Sequence, residues 1–339
     1  RHDREWSWDE PLMWACHKVD QEMSLGGDPV DLSKVPVRQG MQFCFDRIAP
    51  LGEPTLIYAD GGSGKSLTAL LFGIAFASGI SVAGAIHPAT IPHRGVLYLD
   101  WESPAHEQAA RIQGLSLGLG LPSAPAIQHI AMGSRGLADD VPRIRRLIDE
   151  HHIGLLIIDS LGLATSILDQ DAIRRFFNAL RALPTHITPL IVHHMSAQAA
   201  SQETGSAPPG GLRYIWNWSR SIFEMRADPF GDSLQVAMYH RKANGFKLQP
   251  TLGLTYTFDG DVVRVARSDV LDSAELSAHG GARDRIFSFL RLGAAGSKAI
   301  AEGTKLPEGT VRTTLHRARK SGHVTQTPDQ DWKLILLSS

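Results

Sequence analysis

At 339 residues, with 43% apolar and 20% charged side chains, the chain is long enough for about two domains and apolar enough to bury large cores. A net charge of −1 excludes a polycation that grips nucleic acid by bulk charge, so any such contact must come from local patches. The only cysteines, Cys16 and Cys44, exclude a disulfide framework, show no metal spacing, and suit a reducing cytoplasm.

The chain opens on Arg1 without an initiator methionine, which fits a piece of a longer polypeptide. Residues 1–50 read as an irregular leader with nine acidic residues against six basic ones. Trp6, Trp8 and Trp14 cluster near its start, which suggests a docking surface or a cover for the main core.

From residue 51 to 267 short β-rich runs alternate with helical ones. Expected strands are 55–59, 95–100, 127–132, 155–160, 189–194, 221–225, 234–239 and 252–258, and expected helices are 65–78, 105–117, 140–151 and 171–183. Near-continuous apolar strands alternating with helices predict an α/β fold, a mostly parallel sheet with helices on both faces. After Ser221 the helices stop, and the last strands are expected to extend the sheet antiparallel. The uncharged stretch 67–86 has a membrane-spanning length, but it holds Thr68, Ser78, Ser81 and three glycines and follows Lys65 directly. It reads as a buried helix ending near Gly79, with no membrane association.

Inside this region, Ala59-Asp60-Gly61-Gly62-Ser63-Gly64-Lys65-Ser66 lies between an expected strand and an expected helix that opens at Lys65 and runs on through Leu67. The spacing fits the P-loop pattern G-x-x-x-x-G-K-[ST] with Ala59 for the first glycine, a small residue that still permits the turn. The backbone N–H groups of Asp60, Gly61, Gly62, Ser63, Gly64, Lys65, Ser66 and Leu67 are candidates to cradle phosphates. Lys65 supplies a point charge near the β- and γ-phosphates and Ser66 a hydroxyl for Mg²⁺, so ATP and Mg²⁺ are the expected ligands. Leu155-Leu156-Ile157-Ile158-Asp159 is an apolar run ending in a carboxylate, the form of a Walker B element, and Asp159 is the second candidate for Mg²⁺. Glu102 falls just past the strand 96–100, where a carboxylate can polarise the attacking water, with Asp100 as its competitor. His193 and His194 end a further strand and are candidate sensors of nucleotide state; without cysteines or matching carboxylates they do not read as a zinc site.

With these elements in this order, the chain over about residues 40–265 resembles the RecA-like ATPases. Within them it is similar to the DnaB-like replicative helicases of the hexameric RepA type found in plasmids and phages. The resemblance rests on the P-loop, on Leu97-Tyr98-Leu99-Asp100-Trp101-Glu102, on Ile157-Ile158-Asp159-Ser160 and on Val192-His193-His194-Met195-Ser196. It rests also on Gly211 with Ser219-Arg220, and on Lys242-Ala243-Asn244-Gly245. It implies that Glu102 activates water and that Arg220 reaches the γ-phosphate held by a neighbouring subunit. Arg241, Lys242 and Asn244 are implied to contribute to the same intersubunit site. The family's lysine after the histidines is replaced by Ala197 or Gln198, and Arg241-Lys242-Ala243 breaks its lysine–x–arginine spacing. Arg213 and Arg226 are therefore alternative trans-acting arginines.

Residues 196–211, polar and rich in glycine and proline, read as a long functional loop facing a central channel, although it carries no lysine, arginine or aromatic residue. Residues 268–282 read as a linker. Beyond it, residues 283–339 carry ten basic residues against five acidic ones. Helices at 284–292, 297–304 and 308–320, with a two-stranded wing at 323–336, predict a small winged helix-turn-helix whose Arg312, Thr313, His316, Arg317 and Arg319 face nucleic acid. The expectation is an ATP-dependent nucleic-acid motor, a hexameric ring acting on single-stranded DNA, with duplex DNA as a second contact through the C-terminal segment. The alternatives are a non-translocating ATP-dependent DNA-binding regulator or initiator, and a recombination or repair ATPase that forms filaments.

Overall fold

The computed structural model describes residues 11–15, 29–36, 40–167, 169–194 and 213–335. The chain divides into two compact units, residues 1–40 and 41–339. In the first, residues 11–15 are helical with Trp14 exposed, and the 3-10 turn Leu32–Lys34 is capped by Asp31, which accepts from Ser33 N at 3.0 Å. Trp6 and Trp8 lie outside the described residues.

The second unit is built on a nine-stranded sheet in the order β11-β10-β9-β8-β3-β7-β6-β4-β5. Its strands are β3 (Thr55–Ala59), β4 (Gly95–Asp100), β5 (Ile127–Ala131), β6 (Ile153–Asp159), β7 (Thr188–His194), β8 (Ser221–Phe230), β9 (Ser233–Ala243), β10 (Leu252–Asp259) and β11 (Val262–Ser268). From β8 through β3 to β5 neighbours run parallel, and from β8 to β11 they run antiparallel. Every residue of β3 and of β6 is buried, as their unbroken apolar sequences require of strands covered on both faces. Alternate residues feed different cores: Ile157 packs with the helix Lys65–Ser78 on one face, while Leu156 and Ile158 pack under the helices Val141–Glu150 and Gln170–Arg181 on the other.

The helix Lys65–Ser78 has the expected bounds. It starts after Gly64 (φ +78°) and stops at Gly79 (φ +68°), two left-handed positions. Beyond Lys65 it lacks charge because it is buried almost all round, and no helix among the described residues is long and apolar enough to cross a membrane. The next helix, Ala105–Gly118, lies on β11 at very close range. A Cβ on Gly118 would stand 1.9 Å from the Val263 carbonyl oxygen, and one on Gly114 would stand 2.7 Å from that of Asp261.

Three segments depart from expectation. Residues 43–50 are not leader: β1 (Phe43–Phe45) pairs with β2 (Ala49–Pro50), and Phe45 is buried edge-on against Phe72 at 4.9 Å. β11 is not among the expected strands. Residues 268–282 do not form a plain linker either. They hold the turn Val270–Asp272 and the helix Ala274–His279, capped by the Ser273 side chain. Val270 and Leu276 pack against Ala237 and Tyr239, and Ser273 Oγ donates to Asp228 at 2.7 Å. Two apolar side chains in a polar stretch suffice, because each meets a buried partner on β9.

The C-terminal segment holds the helices Ala282–Arg291, Ser297–Thr304 and Glu308–Lys320, then β12 (Val324–Gln326) antiparallel to β13 (Trp332–Leu334). Ile286, Leu290, Ile300, Val311, Leu315 and Trp332 share its core. Arg291 pairs with Asp269 and Asp272, and Thr251 donates to Asp284 at 2.7 Å.

Candidate active site

The P-loop leaves the carboxyl end of β3, as expected of a phosphate cradle at that edge of a parallel sheet. Gly62 (φ +72°) and Gly64 (φ +78°) occupy the left-handed region, which turns the loop back over the helix. Ser63 Oγ donates to the Asp60 carbonyl at 2.7 Å, and Lys65, only 4% exposed, donates to the same carbonyl and lies 3.4 Å from Ser63 Oγ. Burial lowers the Lys65 pKa, opposed by the charges of Asp159, Glu102 and Asp60. Residues 62–67 line a cavity of about 790 Å³, walled also by Glu102, His194, the helix Ala105–Gly118 and the β10–β11 turn at Phe258 and Asp261.

Asp159 ends β6 at 1% exposure, hydrogen-bonded by Tyr98 Oη at 2.5 Å, with the Ser66 hydroxyl beside it. Burial raises its pKa, Ser66 and Tyr98 oppose the rise, and Glu102 and Asp100 add to it. Its Oδ1 is buried without a hydrogen-bond partner. A buried carboxylate with an open oxygen beside a serine hydroxyl at the helix start is a donor set that fits Mg²⁺. Ser66 and Asp159 would hold the ion, and Lys65 with the loop amides would hold the phosphates. When bound, Mg²⁺ supplies positive charge to the β- and γ-phosphate oxygens.

Hydrogen bonding sets Asp100 and Glu102 apart. Asp100 is 2% exposed, and its Oδ1 accepts from Glu102 N and Ser103 N, both at 2.8 Å. Its Oδ2 accepts from Gln108 at 2.6 Å and meets His129 at 3.3 Å. Asp100 thus shapes the turn that carries Glu102, and Glu102 is the carboxylate facing the cavity. Glu102 accepts from Ser160 Oγ at 2.6 Å and meets His194 Nε2 at 3.0 Å, which joins the ends of β4, β6 and β7.

Strand alternation separates the two histidines. His194 is exposed and touches Glu102, whereas His193 is 3% exposed with its Nδ1 unpartnered. Burial, then His194 and Lys65, push the His193 pKa down to about 4, so it is neutral near pH 7.

Arg220 lies elsewhere. Its N–H donates to the Pro54 carbonyl, and Ser221 stands opposite Thr55, so Arg220 sits at the amino end of β3. The P-loop leaves the other end, roughly 17 Å away for five strand residues. Arg220 is half exposed and pairs with Glu53 at 3.2 Å. Asn244 N–H donates to the Arg220 carbonyl at 2.9 Å. Lys242 caps the helix Arg213–Trp218 and the turn after it, through the carbonyls of Trp216 and Ser219, and burial lowers its pKa. Arg241 is held by Glu224 at 2.8 Å and by the His279 carbonyl at 2.8 Å, and it lies over the Tyr239 ring. Arg241 and Lys242, expected at a nucleotide, are engaged within the chain and do not line the cavity. Arg226, an alternative for action on a neighbour, stands beside its own P-loop, 4.0 Å from Asp60. The Arg213 side chain and the loop 196–211 lie outside what is described.

Tyr98 and Ser160, the partners of Asp159 and Glu102, are the site residues given no role from sequence. A hydroxyl inside the apolar strand 96–99 is the one signal that singles out Tyr98. No curated protein matches the chain. Residues 41–200 match the family model described as an AAA domain, which supports an ATPase of the P-loop type over that span.

Proposed function

We propose that the chain is an ATP-dependent nucleic-acid motor, a hexameric replicative DNA helicase that hydrolyses ATP at subunit interfaces while it moves on single-stranded DNA. The observation that carries this reading is the separation of Arg220 from the P-loop along β3. A half-exposed arginine at the opposite end of the sheet is far from its own nucleotide site, which supports a role on that of the next subunit. Glu102 would take a proton from the attacking water. Ser160 and His194 hold its carboxylate at the cavity wall, and His194, the last described residue of β7, would pass the state of the site into the segment beyond.

The C-terminal helices favour a second reading, an ATP-dependent regulator that binds duplex DNA. Arg312, Thr313 and Arg319 are exposed along Glu308–Lys320, and with β12–β13 they support the winged helix-turn-helix reading. ATPase rate with and without single-stranded DNA, alongside the mass of the assembly, separates the readings. A ring stimulated by single strands and able to displace a strand supports the motor. A monomer or dimer whose turnover ignores single strands supports the regulator, and open filaments support a recombination ATPase.

A further inference from the structure

We propose that Arg226 is a positioning residue for ATP turnover: it neutralises the Asp60 carboxylate, which would otherwise oppose the incoming triphosphate. The inference rests on the P-loop ATPase reading and extends it to a residue that does not line the cavity.

A P-loop must wrap a polyanion, and this one carries an aspartate at its first turn. Asp60 is partly buried and its Oδ1 has no hydrogen-bond partner. Lys65 divides its charge among Asp159, Glu102 and Asp60, while its ammonium is directed at the Asp60 carbonyl and Ser63 and is needed by the phosphates. Arg226 is the ion-pair partner of Asp60 among the described residues, Nη1 to Oδ2 at 4.0 Å.

The sheet register puts it there. β8 runs parallel to β3 with Glu224 opposite Tyr58, so two residues on, Arg226 comes level with Asp60. Its guanidinium is oriented as well as near. Nε donates to Glu224 at 2.7 Å, leaving the Nη face to Asp60. Glu224 is itself only 4% exposed and is gripped from the other side by Arg241, which the His279 carbonyl fixes in turn. A second cavity, about 210 Å³, lies between residues 60–63, Arg226 and the helix Ala274–His279. Arg226 therefore reaches the loop from behind, away from the phosphates, where charge can be balanced without blocking the ligand.

The test uses the full chain and steady-state ATP hydrolysis, with melting curves as the control for folding. Wild-type turnover that is lost in Lys65→Ala first establishes the ATPase reading. A wild type that neither binds nor hydrolyses ATP overturns that reading and this inference with it. Given turnover, Arg226→Gln should raise KM about tenfold with kcat within about threefold, and Arg226→Lys should recover most of the loss. The decisive variant is Arg226→Gln with Asp60→Asn, which should bring KM back toward wild type because no carboxylate is left to balance. A merely structural arginine gives no such rescue. Should Arg226→Gln fail to fold, Arg226→Met takes its place, with the same expected rise in KM and the same rescue by Asp60→Asn. An unchanged KM in the Arg226 single variant, or a double variant no better than it, overturns the inference.

Discussion

The two ends of the parallel sheet are built differently. At the carboxyl end of β3, β4 and β6 the functional groups are buried and interlocked: Lys65 on the loop carbonyl, Asp159 on Tyr98, Asp100 saturated by four contacts. At the amino end of β3, Arg220 is half exposed and leans on a single exposed glutamate, Glu53. The first arrangement fixes geometry before any ligand arrives, at the cost of desolvating charges. The second leaves a cation available, since an exposed ion pair holds it by only about 1 kcal/mol or less. A preorganised site at one end and an available cation at the other is what a site completed by a neighbour requires.

The sharpest break of this contrast is Arg220→Ala. Under conditions of assembly it should lower kcat by roughly 10³-fold or more, with nucleotide affinity and melting temperature little changed. Mixing it with Lys65→Ala subunits should restore measurable turnover, because each supplies what the other lacks. No recovery across mixing ratios would mean that the two ends do not meet between chains. The next effect concerns the interlocked end. Glu102→Gln should reduce kcat by about 10²–10⁴-fold while ATP still binds, and turnover that survives would place the base elsewhere.

The smallest effect lies in a group buried near the amino end. His240 Nδ1 accepts from Gln249 N–H, so Nε2 carries the proton and faces Ser221 Oγ at 3.1 Å. Burial pushes its pKa down to about 4 against a backbone hydrogen bond at Lys242, while the unfolded chain titrates near 6.5. Between those values the unfolded state binds more protons, so stability is complete above about pH 6.5 and declines as pH falls toward 4. Denaturant midpoints from pH 7.5 to 4.5 should show a shallower decline in His240→Gln than in wild type. Equal slopes would show that this imidazole is not the group responsible.

Much of the preorganised end was legible in the sequence because it is local. The helix Lys65–Ser78 is bounded by Gly64 and Gly79, and the apolar runs of β3 and β6 end in the P-loop and in Asp159. The place of Glu102 past the strand end favours it over Asp100, but what occupies Asp100 was not legible, since Gln108 and His129 close around that carboxylate only in the fold. Arg226 could be singled out but not placed: its partner Asp60 is 166 positions away, and only the register of β8 on β3 brings them level. The short helix Ala274–His279 escaped notice because its order comes from Tyr239 and Asp228 on other strands, not from its own composition.

Gly114 and Gly118 carry a last consequence. With no side chains there, the helix that follows Glu102 rests directly on the backbone of β11 and its turn. The slot between Leu117 on that helix and Phe258 on the facing hairpin is then as wide as two absent methyl groups allow. Alanine at either glycine would prise the helix away and open the slot, with the P-loop untouched. The gauge of the pocket is thus written in residues that carry no chemistry of their own.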